Sequence, residues 1–170
     1  MLDGWQSTQR VTCEGAIESQ QRARLPRPVV EQSEHGARSL GDGYWREVEA
    51  CTARLVRARR SATGVQLRAF GLLLLAFDPA ELHIADGEVS CAFPIRGGIL
   101  VRRRGGELTL ARSSGSAPEV CSTITGFFPT LGARPGGPSW TGALYSQVQR
   151  RIHLAVSRRY FRRLIAEGGA

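Results

Sequence analysis

The chain has 170 residues, of which 42% are hydrophobic and 22% charged, which is the size and composition of one globular domain. All 23 basic residues are arginine, and lysine and asparagine are absent, a bias typical of a GC-rich genome. The net charge of +8 is concentrated at one end, since residues 131–170 hold seven arginines and one glutamate. This distribution does not favour a uniformly basic nucleic-acid scaffold.

The lack of a recognisable targeting signal and the spacing of the cysteines predict an intracellular protein. The first residues lack a basic segment followed by an apolar stretch, so no secretory signal is expected. The longest apolar run, residues 69–77, is too short for a spanning helix, which needs about 20 residues. The four cysteines are 38, 40 and 30 residues apart, a spacing that predicts neither a zinc site nor a disulfide framework. We therefore expect reduced thiols, a cytoplasmic location, no metal and no cofactor.

The N-terminal part of the chain is predicted to contain one helix. Residues 1–40 are polar and are expected to form a partly extended segment, and residues 41–170 to form a single domain. The helix is predicted to begin after Gly43, with Asp42 as its cap and the arginines within 57–60 in its last turn. Apolar residues at three- and four-residue steps support it. A strand over the same residues is the competing interpretation.

From residue 64 onward, alternating apolar and polar residues indicate strands. Predicted strands cover residues 65–70, 72–77, 81–85, 88–95, 99–103, 107–112 and 120–128. Asp86-Gly87 and Gly105-Gly106 are typical of tight hairpin turns, so consecutive strands are expected to be antiparallel neighbours in a meander. One face is predicted to point inward; it carries Leu67, Val89, Phe93, Leu108, Leu110, Val120 and Ile124.

The C-terminal part is predicted to be a long amphipathic helix. It follows a loop rich in glycine and proline, residues 132–138, and extends from about Thr141 to Ala166. Its apolar stripe is expected to lie on the sheet, with three pairs of arginines mostly on the other faces. The stripe consists of Tyr145, Val148, Ile152, Val156 and Leu164.

Together these elements predict an α+β fold: a curved antiparallel meander sheet or barrel of about six or seven strands, with a long C-terminal amphipathic helix. The element order over residues 44–166 resembles the helix-grip (START-like) fold, in which a curved sheet wraps a long C-terminal helix and leaves a cavity. No residue motif supports the resemblance, so it implies no catalytic positions. A calycin-like barrel with an external helix is the alternative. Both folds enclose a cavity.

Four polar residues are candidate ligand-binding residues, because three share a predicted inward face with apolar residues and one lies on the helix that covers it: Cys91, Arg112, Ser122 and Tyr145. An apolar lining with a few polar anchors is typical of small-molecule sites. A buried Arg112 would need an anionic partner, for which Asp78 and Glu107 are candidates. The alternative is that Arg112 is the solvated last residue of its strand.

Other patterns of chemistry are not predicted. The histidines at positions 35, 83 and 153 fall in different elements, and we interpret them as surface or packing residues rather than metal ligands. The HExxH, GxSxG, CxxC and GxGxxG patterns are absent, which disfavours zincins, serine hydrolases, thioredoxins and dinucleotide enzymes. The glycine pairs lead into strands, so they favour turns over a phosphate-binding loop.

The function favoured by this pattern is a small-molecule-binding cavity protein. The favoured form is a cofactor-independent cyclase or isomerase of secondary metabolism, acting on an apolar natural-product-like substrate. One alternative is a non-catalytic carrier of a hydrophobic ligand. Another is a nucleic-acid or partner-binding module that uses the C-terminal arginines. The expected partner is an apolar small molecule; a homodimer is compatible with the sequence, and nucleic acid is not favoured.

Overall fold

The computed structural model describes residues 3–114, 117–130 and 139–169, although not the side chains of residues 139–150 and 168–169. These residues form an α+β fold of nine strands and two helices, which confirms the predicted class and exceeds the predicted strand number. In chain order the elements are β1 (Gln6–Val11), β2 (Ile17–Arg24), α1 (Glu34–Cys51), β3 (Arg57–Ser61), β4 (Gly64–Ala69), β5 (Leu72–Phe77), β6 (Glu81–Ala85), β7 (Glu88–Gly97), β8 (Glu107–Ser113), β9 (Glu119–Phe127) and α2 (Ser139–Gly169).

All nine strands belong to one antiparallel sheet, in the order β1-β2-β9-β8-β7-β5-β4-β3, with β6 also paired to β7. The edge strands β1 and β3 do not pair with each other in the described part of the chain, so the sheet is not closed and the barrel alternative is wrong. The strands β1 and β2 were not predicted individually, because their residues are mostly polar. Even the buried face of β2 carries polar side chains, Ser19 and Gln21, which hydrogen-bond to each other at 2.8 Å.

Helix α1 lies earlier in the chain than the sequence predicted. Its N-cap is Ser33, whose hydroxyl accepts a hydrogen bond from the backbone N–H of Gly36 at 3.1 Å. Because the helix begins at Glu34, the domain boundary expected after residue 40 lies inside it. The arginines expected in its last turn lie instead on β3, so the predicted helix is wrong at both ends.

The glycines that suggested a break before the helix are in fact sites of close packing within it. A Cβ atom at Gly41 would lie 2.6 Å from Cζ of Phe93 on β7, and one at Gly43 would lie 2.9 Å from Cε2 of Tyr160 on α2. Glycine inside a helix costs about 0.5–1 kcal/mol relative to alanine. Here it allows α1 to approach both the sheet and the second helix.

The later strands lie where the sequence predicts them, with two corrections to the predicted meander: β5 pairs with β7 rather than with β6, and the segment 99–103 is not a strand. The turn at Asp86-Gly87 connects β6 to β7 and is confirmed. Residues 99–103 form no strand; a single bridge joins Val101 to Pro129. The backbone N–H of Ile99 donates to the carbonyl of a β5 residue at 3.0 Å, so this segment runs beside β5. The second predicted hairpin is therefore wrong, because Gly105-Gly106 belongs to a longer loop between β7 and β8.

The inward face of the sheet is as predicted: six of its seven apolar residues are buried, and Ile124 packs partly buried against them. Helix α1 rests on this face, and α2 packs mainly against α1. The Tyr160 hydroxyl donates to the carbonyl of Leu40 at 3.0 Å, and Arg159 Nε donates to the buried carboxylate of Glu47 at 2.6 Å. Neither helix has, within the described residues, a stretch apolar and long enough to span a bilayer.

Two expectations about α2 are corrected: the helix packs mainly against α1 rather than on the sheet, and its apolar stripe is not buried throughout. Val156, Phe161 and Leu164 are buried, and Tyr160 lies with them. Ile152, one turn before Val156 and assigned to the core from the sequence, is 44% exposed. The reason is that this part of the helix passes beyond the tightly packed core to the mouth of a cavity.

Candidate functional site

A cavity of about 180 Å³ lies between the two helices and the sheet. Residues of α1, α2, β4, β5, β7, β8 and β9 contribute to its wall, which is almost entirely apolar. Side chains that represent this apolar wall are Val48, Leu67, Leu75, Phe77, Leu108 and Phe127. Among the described residues, the groups able to hydrogen-bond into it are the side chains of Tyr44, Thr52 and His153 and the indole of Trp45.

The main polar feature of the cavity wall is a hydrogen-bonded pair that joins the two helices. The hydroxyl of Tyr44 on α1 lies 3.0 Å from Nδ1 of His153 on α2. Burial lowers the pKa of His153 to about 4 and raises the pKa of Tyr44 well above its ordinary value. Both side chains are therefore uncharged at neutral pH.

Two buried serines lie near Tyr44. They are Ser122 on β9 and Ser157 on α2, and their hydroxyls partly offset the effect of burial on the pKa of Tyr44. Neither Oγ atom forms a hydrogen bond with a described residue. Nε2 of His153 also has no partner among the described residues. A buried polar atom left without a partner costs about 1–3 kcal/mol. Among the described residues of the cavity wall, His153 (Nε2) and Trp45 (Nε1) carry such an atom, so a hydroxyl or carbonyl of a ligand would be stabilised beside them.

None of the predicted site residues whose side chains are described lines the cavity. Cys91 and Ser122 are buried on the inward face of the sheet, and Cys91 lies beneath α1 at Gly41. Burial raises the pKa of the Cys91 thiol to about 12. Ser122 is the one nearest to the cavity, through Tyr44. The side chain of Tyr145 lies outside the described residues.

Arg112 is only 2% exposed, so the alternative of a solvated strand end is wrong. One of its terminal nitrogens donates to the carbonyl of Val30, and burial lowers the pKa of the guanidinium. The two anionic partners suggested by the sequence are also wrong. Asp78 lies near Arg96, at 3.8 Å, and the carboxylate of Glu107 accepts a hydrogen bond from a threonine of its own strand. Arg112 therefore contributes to the packing of the segment before α1, away from the cavity.

Sequence reasoning missed both members of the polar pair. Tyr44 was placed at the start of a helix and His153 was interpreted as a surface or packing residue. A weak signal was present, because His153 shares a helix face with Val156 and Tyr160, at steps of three and four residues. The pairing itself depends on how two distant helices cross, which no local pattern shows.

Comparison with known proteins gave no match: no family model, no curated protein and no solved structure matches this chain. No group of three or more histidine, cysteine or acidic side chains in the described residues is arranged to hold a metal ion. The fold and the site thus define an α+β protein with an apolar cavity and an uncharged tyrosine–histidine pair in its wall.

Proposed function

We propose that this protein binds an uncharged, apolar small molecule in the cavity between its helices and its sheet. The observation that carries the proposal is the apolar wall with a single hydrogen-bonded pair, Tyr44 and His153. Transfer of apolar ligand surface from water into such a wall is worth about 25 cal/mol per Å². A few polar groups then set the orientation of the ligand.

The charge state of the wall supports a neutral ligand. No Asp, Glu or Arg side chain lines the described part of the cavity, and His153 is uncharged above its pKa of about 4. An ionised ligand would lose its hydration without gaining a counter-charge, which is strongly unfavourable. A ligand with one hydroxyl or carbonyl group would instead find the free Nε2 of His153.

The helix-grip arrangement is part of this proposal. The order of the strands supports it, because the N-terminal strand β2 pairs with the last strand β9 and the long helix follows directly. Irregular register between β2 and β9, β4 and β5, and β5 and β7 provides the places where the sheet would curve.

Binding can be measured with N-phenyl-1-naphthylamine, a neutral apolar fluorophore. We expect saturable fluorescence enhancement with the native protein. Leu75→Trp places a bulky ring in the cavity wall and should abolish it. Leu82→Trp is the matched control, because Leu82 is also partly buried against the core but does not line the cavity. Equal binding by both variants, each shown to be folded by near-UV circular dichroism, would refute the proposal.

The polar pair can be tested with two ligands of nearly equal size. 1-Naphthol should displace the fluorophore more effectively than naphthalene, by about two- to tenfold, the effect of one net hydrogen bond. His153→Leu should remove this preference while leaving naphthalene binding within about twofold. A preference that survives in the variant would mean that the hydroxyl binds elsewhere.

Catalysis of isomerisation is a second candidate function, favoured by the uncharged imidazole beside a phenol. His153 would accept a proton from the carbon between a carbonyl and a double bond and return it to the γ carbon, while the Tyr44 hydroxyl donates to the enolate oxygen. Cyclohex-3-en-1-one, which becomes a conjugated ketone that absorbs in the ultraviolet, is a suitable probe. Turnover that is lost in His153→Leu would support an isomerase. Ligand binding without turnover would favour the carrier.

A further inference from the structure

Most of the exposed apolar side chains lie on segments that contribute to the cavity wall. Of the seven large apolar side chains that are exposed in the described chain, five belong to such segments: Leu55, Phe70, Leu72, Ile99 and Ile152. Ile152 itself lines the cavity, and Phe70 and Leu72 lie on the hairpin that carries the wall residues Leu67 and Leu74. Leu55 precedes the wall residue Val56, and Ile99 precedes the wall residue Leu100. The remaining two, Val11 and Ile84, lie on other strands.

Backbone pairing brings four of these residues, all except Ile152 of α2, to one corner of the sheet. Phe70 and Gly71 form the tip of the hairpin between β4 and β5, since Ala69 pairs with Leu72. The start of β3 lies beside the end of β4. Ile99 lies on the other side of β5, where its N–H donates to a β5 carbonyl at 3.0 Å.

Phe70 stands out at this corner, because it is 86% exposed and has a φ of 49°. The left-handed region is unfavourable for a bulky side chain, and asparagine or glycine is usual at this position of a two-residue hairpin turn. Because the aromatic ring is almost fully exposed, its packing contributes little to the stability of the described chain. Strained positions that persist without a packing reason are found at functional sites.

The chain segments at this corner are rich in arginine, and Glu14, in the turn between β1 and β2, forms an ion pair with one of these arginines, Arg103, at 2.8 Å. Residues 50–77, 89–106 and 139–166, which carry the five apolar side chains, contain no Asp or Glu. Arg54 and Arg57 flank Leu55, and Arg102 and Arg104 follow Ile99 by a few residues. These four arginines are exposed and form no salt bridge with any described residue. Exposed apolar side chains among unpaired cations are complementary to an anionic lipid surface.

We propose that this corner docks onto a bilayer that contains anionic lipid, with Phe70, Leu72 and Ile99 inserted among the lipid chains and the neighbouring arginines on the headgroups. The mouth of the cavity then faces the bilayer. An apolar ligand could pass directly between the lipid chains and the cavity. The exchange of ligand rests on the proposed function, whereas docking itself does not. A nucleic acid would use the arginines but would not need the insertion of aliphatic side chains into an apolar phase.

Sedimentation with vesicles tests the docking, using phosphatidylcholine alone and phosphatidylcholine with 30% phosphatidylglycerol at about 0.1 M salt. We expect the native protein to bind the mixed vesicles and to bind phosphatidylcholine at least tenfold more weakly. Phe70→Asn should lower the partition coefficient about tenfold or more, because it removes one large inserted side chain. Asparagine suits the left-handed turn, so the thermal midpoint of this variant should not fall. Ile84→Asn is the control on β6 and should leave the partition coefficient unchanged.

Two further arms separate the alternatives. Arg102→Gln combined with Arg104→Gln should weaken binding to the mixed vesicles by about tenfold or more and leave binding to phosphatidylcholine unchanged. The cavity variant Leu75→Trp should still bind vesicles, so failure of the ligand-binding function would not be mistaken for failure of docking. Unchanged vesicle binding by Phe70→Asn would overturn the proposal. So would binding of duplex DNA at the same salt that exceeds vesicle binding and is lost in the arginine variant.

Discussion

His153, a half-buried residue whose ring nitrogen Nε2 is buried, should make the stability of the protein depend on pH in a defined window. Its pKa is about 4 in the folded protein and 6.5 as the reference value for an unfolded chain. Between these values the unfolded chain binds a proton at this position and the folded protein does not, so stability falls as the pH falls from 6.5 to 4. The slope is about 1.4 kcal/mol per pH unit, and the total loss over the window is at most about 3.4 kcal/mol.

The assay is urea unfolding of the native protein and of His153→Leu at pH 7.5, 6, 5 and 4.5. Other groups titrate in both proteins, so the informative quantity is the difference in the free energy of unfolding. This difference should be constant above pH 6.5 and should shift by about 2 kcal/mol in favour of the variant by pH 4.5. A constant offset from the lost hydrogen bond to Tyr44 is expected and does not affect the slope. If the difference in the free energy of unfolding did not change with pH, the pKa of His153 would not be lowered in the folded protein. The imidazole in the cavity wall would then carry a charge at mildly acidic pH, which would contradict the reasoning.

Three further outcomes follow from the packing of α1 and of the inward face of the sheet. Glu47→Gln should lower the free energy of unfolding by about 1–2 kcal/mol, because it weakens a half-buried ion pair between the helices. Asp42→Asn, at an exposed ion pair, should lower it by less than about 1 kcal/mol, and thermal unfolding of the two variants distinguishes these effects. Gly41→Val should lower the free energy of unfolding by about 1–3 kcal/mol or more, because the valine side chain would clash with the ring of Phe93 on β7. Denaturant unfolding measures this loss. An unchanged free energy of unfolding would mean that α1 is not held against the sheet. Cys13 should react quickly with a water-soluble thiol reagent and Cys91 slowly, since Cys13 is exposed and Cys91 is buried with a pKa of about 12; equal rates in the native protein would contradict the register of β7.

The positions of the strands from β4 onward were largely predictable because their side chains alternate, whereas the loop at Gly105-Gly106 and the pairing of β5 with β7 were not. Asp86-Gly87 is the clearest case, since a two-residue turn fixes the register of both strands that it connects. The strands β1, β2 and β3 were not predictable in the same way. Their residues are polar, and β2 joins the sheet only by pairing with β9, almost a hundred residues later in the chain.

The start of helix α1 was predicted wrongly because a local pattern does not show tertiary packing. Gly41 and Gly43 predict a break when they are considered locally, and only the nearness of Phe93 and Tyr160 explains why they lie inside α1. The candidate site was predictable as a class, an apolar cavity beside the long helix. Its polar pair was not, because Tyr44 and His153 are 109 residues apart and meet only when α2 crosses α1.

The central claim is that a neutral ligand occupies the cavity with its polar group at His153. The most direct measurement is a set of nuclear Overhauser contacts between bound 1-naphthol and the methyl groups of the selectively labelled protein. We expect contacts from the naphthalene ring to Leu67, Leu75 and Val156, which lie on different parts of the cavity wall. We also expect a shift of the His153 ring resonances that naphthalene does not produce. Contacts confined to exposed apolar residues such as Val11 and Ile84, with no contact to the cavity wall, would contradict it.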